Sequence, residues 1–165
     1  MKRWRGPWGH PMSETADPAV HAAAVSMIDA RQVMAIATLR SDGWPQNTIV
    51  GYANKGLTIY FLILRASQKF RNIARDDRVA LAIGEQPVNI HFAEAVYASA
   101  RAAEVTDTQE REEAWQLLMK RHPNLGGRAM PDEAVTAIMR ARCEHVSVVD
   151  YSKGLGHTDS INVPE

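Results

Sequence analysis

The stretch Leu57-Thr-Ile-Tyr-Phe-Leu-Ile-Leu-Arg-Ala-Ser-Gln-Lys-Phe-Arg-Asn-Ile-Ala-Arg75 changes its hydrophobic period half-way along. From Leu57 to Leu64 it is an apolar run rich in β-branched and aromatic residues, the pattern of a buried strand. Ser67 then stands where a helix N-cap belongs, and Phe70, Ile73 and Ala74 fall on one face of the helix that follows. Arg65, Lys69 and Arg71 crowd the start of that helix, whose first turn carries no acid. A helix N-terminus already bears roughly half a positive charge, so cations there are unfavourable unless an anion is bound. A strand, a hydroxyl, free backbone N–H groups and three cations together describe a phosphate site. Arg65 has a competing use, an ion pair with Asp76 or Asp77.

Upstream, Asp17-Pro18 opens a helix with an N-cap acid and a first-turn proline, and Val20, Ala23, Ala24, Met27 and Ile28 form its apolar stripe. Val33 to Leu39 and Gln46 to Ala53 read as strands joined through Ser41-Asp42-Gly43, a hairpin signal. Asn54-Lys55-Gly56 turns the chain into the Leu57 strand. Downstream, Val79 to Ile83 and Ala95 to Val105 read as strands, and Val88 to Phe92 is ambiguous. Asp107 with Glu110 starts a helix running from Thr108 to about Arg121. Pro131, followed by Asp132 and Glu133 and closed by Arg140 and Arg142, predicts another helix, and Cys143 to Val149 a final strand. Tyr151 to His157 is a glycine-rich loop. Hairpin-linked strands with a few helices argue for an antiparallel barrel with helices outside it.

The chain has 165 residues, enough for one domain with a real core. We place that domain at 17–165, after a flexible arm at 1–16 whose Trp4 and Trp8 are free to drape over a partner. Nineteen basic residues balance nineteen acidic ones, which argues against broad binding to nucleic acid or an anionic membrane. A single cysteine, Cys143, permits no intramolecular disulfide and fits a cytoplasmic setting. The arm has no continuous apolar segment of the secretory kind, and no apolar run is long enough to span a bilayer. The six histidines show no metal-ligand spacing, so no metal is expected. There is no nucleophile elbow, P-loop or dinucleotide fingerprint.

The order of these elements, with Ser67-x-Lys69 just after the third strand, resembles the FMN-binding split-barrel family, the pyridoxamine 5′-phosphate oxidase-like proteins. The hairpin Ala37-Thr-Leu-Arg-Ser-Asp-Gly-Trp-Pro45, the strand Gly56-Leu-Thr-Ile-Tyr-Phe61, Ser67-Gln-Lys-Phe-Arg-Asn-Ile73 and Asp77-Arg-Val-Ala-Leu-Ala-Ile83 carry the resemblance, which covers about Val20 to His157. It implies a mainly β, α+β fold, a six-stranded antiparallel split β-barrel with peripheral helices. It further implies a homodimer with FMN in a groove between subunits. Ser67 and Lys69 would hold the flavin phosphate, with Arg65 and Gln68 beside them. Asn47, Thr48, Ile49, Ile63 and Leu64 would line the isoalloxazine. Lys153 and His157 supply further donors toward flavin or substrate if the tail folds over the groove.

Departures from the family pattern shape the functional expectation. The strand Gln46-Asn-Thr-Ile-Val-Gly-Tyr52 lacks the cations that pyridoxamine phosphate oxidases carry there, Ile63 stands where a Thr is common, and a long Arg-containing C-terminal segment is missing. The expectation is an FMN-dependent oxidoreductase acting on a small molecule other than pyridoxamine 5′-phosphate, with no side chain named as a catalytic base. The alternatives are a flavin-binding module without turnover, a relative using the deazaflavin F420, and a haem-binding split barrel.

Overall fold

The computed structural model describes residues 17–85, 87–125 and 128–164. The expected arm at 1–16 lies outside the described residues. The chain runs α1 (Pro18–Asp29), β1 (Val33–Leu39), β2 (Pro45–Lys55), β3 (Thr58–Leu64), α2 (Gln68–Arg75), β4 (Arg78–Gly84), β5 (Glu94–Glu104), α3 (Thr108–Arg121), β6 (Thr136–Asp150) and β7 (Thr158–Asn162). The helix starts are those the caps dictate. The Asp17 carboxylate accepts from the Ala19 N–H at 2.8 Å, and Asp107 accepts from the Glu110 N–H at 2.8 Å. At the β1–β2 hairpin Gly43 adopts φ 86°, a left-handed conformation open to glycine at no steric cost. The ambiguous Val88–Phe92 stretch contains one short 3₁₀ turn, Ile90–Phe92.

All pairings are antiparallel, in the order β3-β2-β1-β4-β5-β6-β7, and a further β3–β6 ladder closes the first six strands into a barrel. β7 is an additional strand on β6, one that the glycine-rich tail did not announce. Ile36, Tyr52, Ile59, Phe61, Val96 and Met139 fill the interior, and α1 adds Ala24 and Ile28 to that core. A second apolar cluster lies where α3 sets Ala114, Trp115 and Leu118 against Ala53, Tyr60 and Ile138.

The helix expected from Pro131 does not form. Asp132 instead caps a turn, its carboxylate accepting from the Ala134 N–H, and Thr136 opens the fifteen-residue strand β6. The misreading has a physical cause. Ala137, Met139 and Ala141 face the barrel core, while Ile138 packs under α3 and Arg140 pairs with Glu110 on α3. A strand covered on both faces loses the alternation that marks a half-exposed one.

Two polar side chains fix the helices on the barrel. Arg121, at the end of α3, donates to the carbonyls of Ile28 and Arg31 and to Asn54 Oδ1, with its guanidinium 5.6 Å from the centre of the Tyr52 ring. Asn72, buried in α2, donates to Thr38 Oγ1 at 3.0 Å and Gln46 Oε1 at 3.1 Å and accepts from Gln68 Nε2 at 2.9 Å. It therefore sets α2 against β1 and β2. Asn72→Ala should leave the buried Thr38 hydroxyl without this donor and lower stability by about 1–3 kcal/mol. Urea unfolding checks this, through a reduced midpoint at unchanged slope.

Candidate functional site

β2 and β3 part company half-way along. β2 pairs with β1 from Pro45 to Gly51, but with β3 only from Tyr52 to Lys55. β3 continues to Leu64 against β6. The first half of β2 and the end of β3 thus diverge, and three residues separate the end of β3 from the start of α2. Strand alternation sorts the residues expected to line a ring. Asn47, Ile49 and Gly51 are exposed on the outer face of β2, and Leu64, at the end of β3, is 57% exposed. Ile63 is 4% exposed and its side chain belongs to the barrel core. Thr48 points away from Asn47 and Ile49. Its Oγ1 is buried and has no hydrogen-bond partner among the described residues.

At the start of α2, Ser67 is the N-cap, its Oγ accepting from the Phe70 N–H at 3.3 Å. The N–H groups of Gln68 and Lys69, in the helix's first turn, have no intrahelical acceptor. The three cations have different fates. Arg65 forms a two-pronged ion pair with Glu104 at the end of β5 rather than with Asp76 or Asp77, and stacks 5.3 Å from the centre of the Phe70 ring. Asp76 pairs with Arg78, and Asp77 with Arg101. Arg71 donates to the Ala66 carbonyl at 2.8 Å and to Gln68 Oε1 at 3.0 Å. Lys69 alone of the three has neither a hydrogen bond nor an ion pair among the described residues, and burial holds its pKa below the usual lysine range. The structure thus gathers Ser67, Gln68 and Lys69 at one open helix start, with an uncompensated ammonium among them.

The outer face of the sheet continues from β2 as two rows of cross-strand neighbours. One runs Asn47, Ala37, Ala80, Ser99, and the other Ile49, Ala35, Ala82, Tyr97. Their alanines floor a hollow of about 300 Å³ rimmed by Asn47, Tyr97, Ser99 and Ser147. Lys153 and His157 sit on the turn between β6 and β7. Both direct their side chains at Asp159, at 3.4 and 3.0 Å. Sequence reasoning passed over His122, just beyond α3. Its imidazole rests against Gly51, where a Cβ would stand 3.1 Å from Cε1, and its Nε2 lies 2.9 Å from the Tyr52 carbonyl. The available signal was Gly51 itself, because a glycine inside a strand often marks a close approach by another group.

Residues 20–150 match the family model of pyridoxamine 5′-phosphate oxidase. The chain belongs to the pyridoxamine 5′-phosphate oxidase family. No curated protein matches it. In fold it is similar to the haem-binding protein of Mycobacterium smegmatis, with a TM-score of 0.75 and 19% identity over 90% of this chain and 60% of that one. It is similar also to a FAD-binding protein of Mesorhizobium loti, with a TM-score of 0.62 and 19% identity over 77% of this chain and 91% of that one. An F420 reductase gives a TM-score of 0.57 and 23% identity over 73% of this chain and 93% of that one. This chain thus spans about three fifths of the mycobacterial protein's length. At such identities the likeness is one of fold. Among the described residues no helix is long and apolar enough to cross a membrane, and no three metal-ligating side chains converge.

An unpaired cation at a helix start costs stability when no anion is present. Lys69→Met should therefore raise the ligand-free unfolding free energy by about 0.3–1 kcal/mol, while abolishing any stabilisation by added inorganic phosphate. Parallel urea titrations with and without phosphate measure both effects. A less stable ligand-free variant would show that Lys69 serves the fold.

Proposed function

We propose that the chain binds FMN at the start of α2 and works as a flavin-dependent oxidoreductase on a small organic molecule. The observation that carries this reading is Lys69, an uncompensated ammonium beside the Ser67 hydroxyl and two open helix N–H groups. These donors suit a phosphate dianion, and each charge-assisted bond contributes about 1.5–3 kcal/mol. The buried, unpartnered Thr48 hydroxyl on the diverging strand is a second polar group that a ligand at the parting of β2 and β3 would satisfy. Asn47, Ile49 and Leu64 present side chains to a ring lying there, whereas Ile63 contributes its backbone alone. Arg65, locked to Glu104, holds the loop between β3 and α2 rather than the ligand.

Bound in this position, a flavin supplies electron and hydride transfer, and the barrel supplies placement and exclusion of water. β2 carries no cation between Gln46 and Tyr52, so a doubly charged substrate phosphate finds no partner on that stretch of the strand. This disfavours pyridoxamine 5′-phosphate as the substrate. F420 and haem are the alternatives for the same groove, and the absorbance spectrum of material co-purifying with the chain distinguishes the three. Turnover with NADH or NADPH separates an enzyme from a binding module. Ser67→Ala combined with Lys69→Ala should weaken FMN binding at least about tenfold in a fluorescence titration, a drop that the loss of even one such bond would produce. Unchanged affinity would remove the phosphate assignment.

We further propose a homodimer through the outer sheet face. Its alanine floor is apolar, and Ile49, Trp44 and Tyr97 stand exposed around it. A second copy laid on this face would bury them and close the groove beside β2. Sedimentation equilibrium at micromolar concentration should give about twice the 18.3 kDa chain mass. A clean monomer with full flavin occupancy would rule the dimer out.

A further inference from the structure

His122 stands at the end of the β2 face that holds Asn47 and Ile49. The Cβ directions of residues 47, 49 and 51 share one side of the strand, and it is in the Gly51 direction that the imidazole is met, 3.1 Å from where a Cβ would be. Successive residues on one face are about 6.6–6.8 Å apart, so Gly51, with the imidazole against it, is one such step along from Ile49. Gly51 is what lets it approach so closely.

The imidazole is also oriented. The neighbour of Nε2 is the Tyr52 carbonyl, which only accepts, so Nε2 carries the hydrogen and donates at 2.9 Å. In the neutral ring this leaves the lone pair on Nδ1, and Nδ1 has no partner among the described residues. The residue's backbone is held as well, its N–H donating to the Leu118 carbonyl and its carbonyl accepting from the Leu125 N–H. A fixed ring with one nitrogen used structurally and the other an open acceptor, at the end of an exposed strand face, is arranged to receive a donor.

We propose that His122 Nδ1 accepts a hydrogen bond from the N3–H of the flavin ring and so fixes which end of the isoalloxazine points toward Gly51. The proposal rests on the FMN reading above. The oxidised isoalloxazine has one ring N–H, at N3, so an acceptor at this wall selects the pyrimidine end. His122 acts here as a binding and orienting residue, with no part in moving electrons.

Two substitutions separate this role from a structural one. His122→Gln places an amide N–H where Nε2–H is, keeps the bond to Tyr52, and removes the Nδ1 acceptor. His122→Asn keeps an acceptor near the Nδ1 position and loses the bond to Tyr52. The proposal expects His122→Gln to unfold like the wild type in urea but to bind FMN about three- to tenfold more weakly, as befits one neutral hydrogen bond. It expects His122→Asn to lose stability yet retain more FMN affinity than the glutamine variant. In ¹⁵N-histidine-labelled protein, the His122 Nδ1 resonance, identified by its absence in the glutamine variant, should move on addition of FMN. Wild-type FMN affinity in His122→Gln, or an unmoved Nδ1 resonance at saturation, overturns the role of His122 and leaves the phosphate assignment standing. Failure of the wild-type chain to bind FMN at all overturns both.

Discussion

Each edge of a strand can form its hydrogen-bond ladder only once, and the long strand β6 makes this constraint decisive. One edge of β6 pairs with β5 along nearly its whole length. The other edge is divided, Thr136–Arg142 taking β3 and His145–Val149 taking β7. β3 keeps β6 on one edge as far as Leu64, whereas on its other edge it keeps β2 only over the Tyr52–Lys55 segment. Beyond Phe61 β3 is held by β6 alone, and there β2 and β3 part. The candidate site lies in that parting, with α2 at one end and His122 at the other.

The charges around α2 show how a fold can hold a cation in reserve. Arg65 is matched by Glu104, which fixes the loop between β3 and α2 to the end of β5. Arg71 is tied to the Ala66 carbonyl and Gln68. Both satisfy the backbone and side chains that shape the helix start. Lys69 does neither, and its partial burial makes its charge harder to solvate. Local stability would be better served by an apolar residue there, and such a departure from local consistency is the mark expected of a functional position.

Local signals in the sequence were legible where the physics was local. The N-caps Asp17, Ser67 and Asp107, the Asp42-Gly43 turn and the helix spanning Gln68–Arg75 are set by groups within a few residues of one another, and all were readable. β6 was not. Pro131, Asp132 and Glu133 imitate a helix start, and the burial of both strand faces hides the two-residue period. The partner of Arg65 was equally invisible, since Glu104 lies 39 positions away and reaches it through the β3–β6 and β5–β6 pairings. His122 was missed for the same reason. Its meaning depends on α3 returning to Gly51, a contact between residues 71 positions apart in the sequence.

The division of β2 into two faces carries the last step. Asn47, Thr48 and Ile49 are adjacent in sequence and were grouped as one lining, yet a strand sends alternate side chains to opposite sides. Asn47 and Ile49 belong with Gly51 and the His122 wall on the outer face, while Thr48 leaves a hydroxyl buried without a partner on the inner one. On the proposed reading, a ligand along the outer face would engage the first pair through side chains and meet the strand's free backbone edge. The Thr48 hydroxyl would then be reached from that edge, or through a bridging water, and not by the face of a stacked ring. The two kinds of contact need not be lost together. Changing Ile49 alters what packs on the face, whereas changing Thr48 alters a buried polar group whose satisfaction depends on whether the cleft is filled.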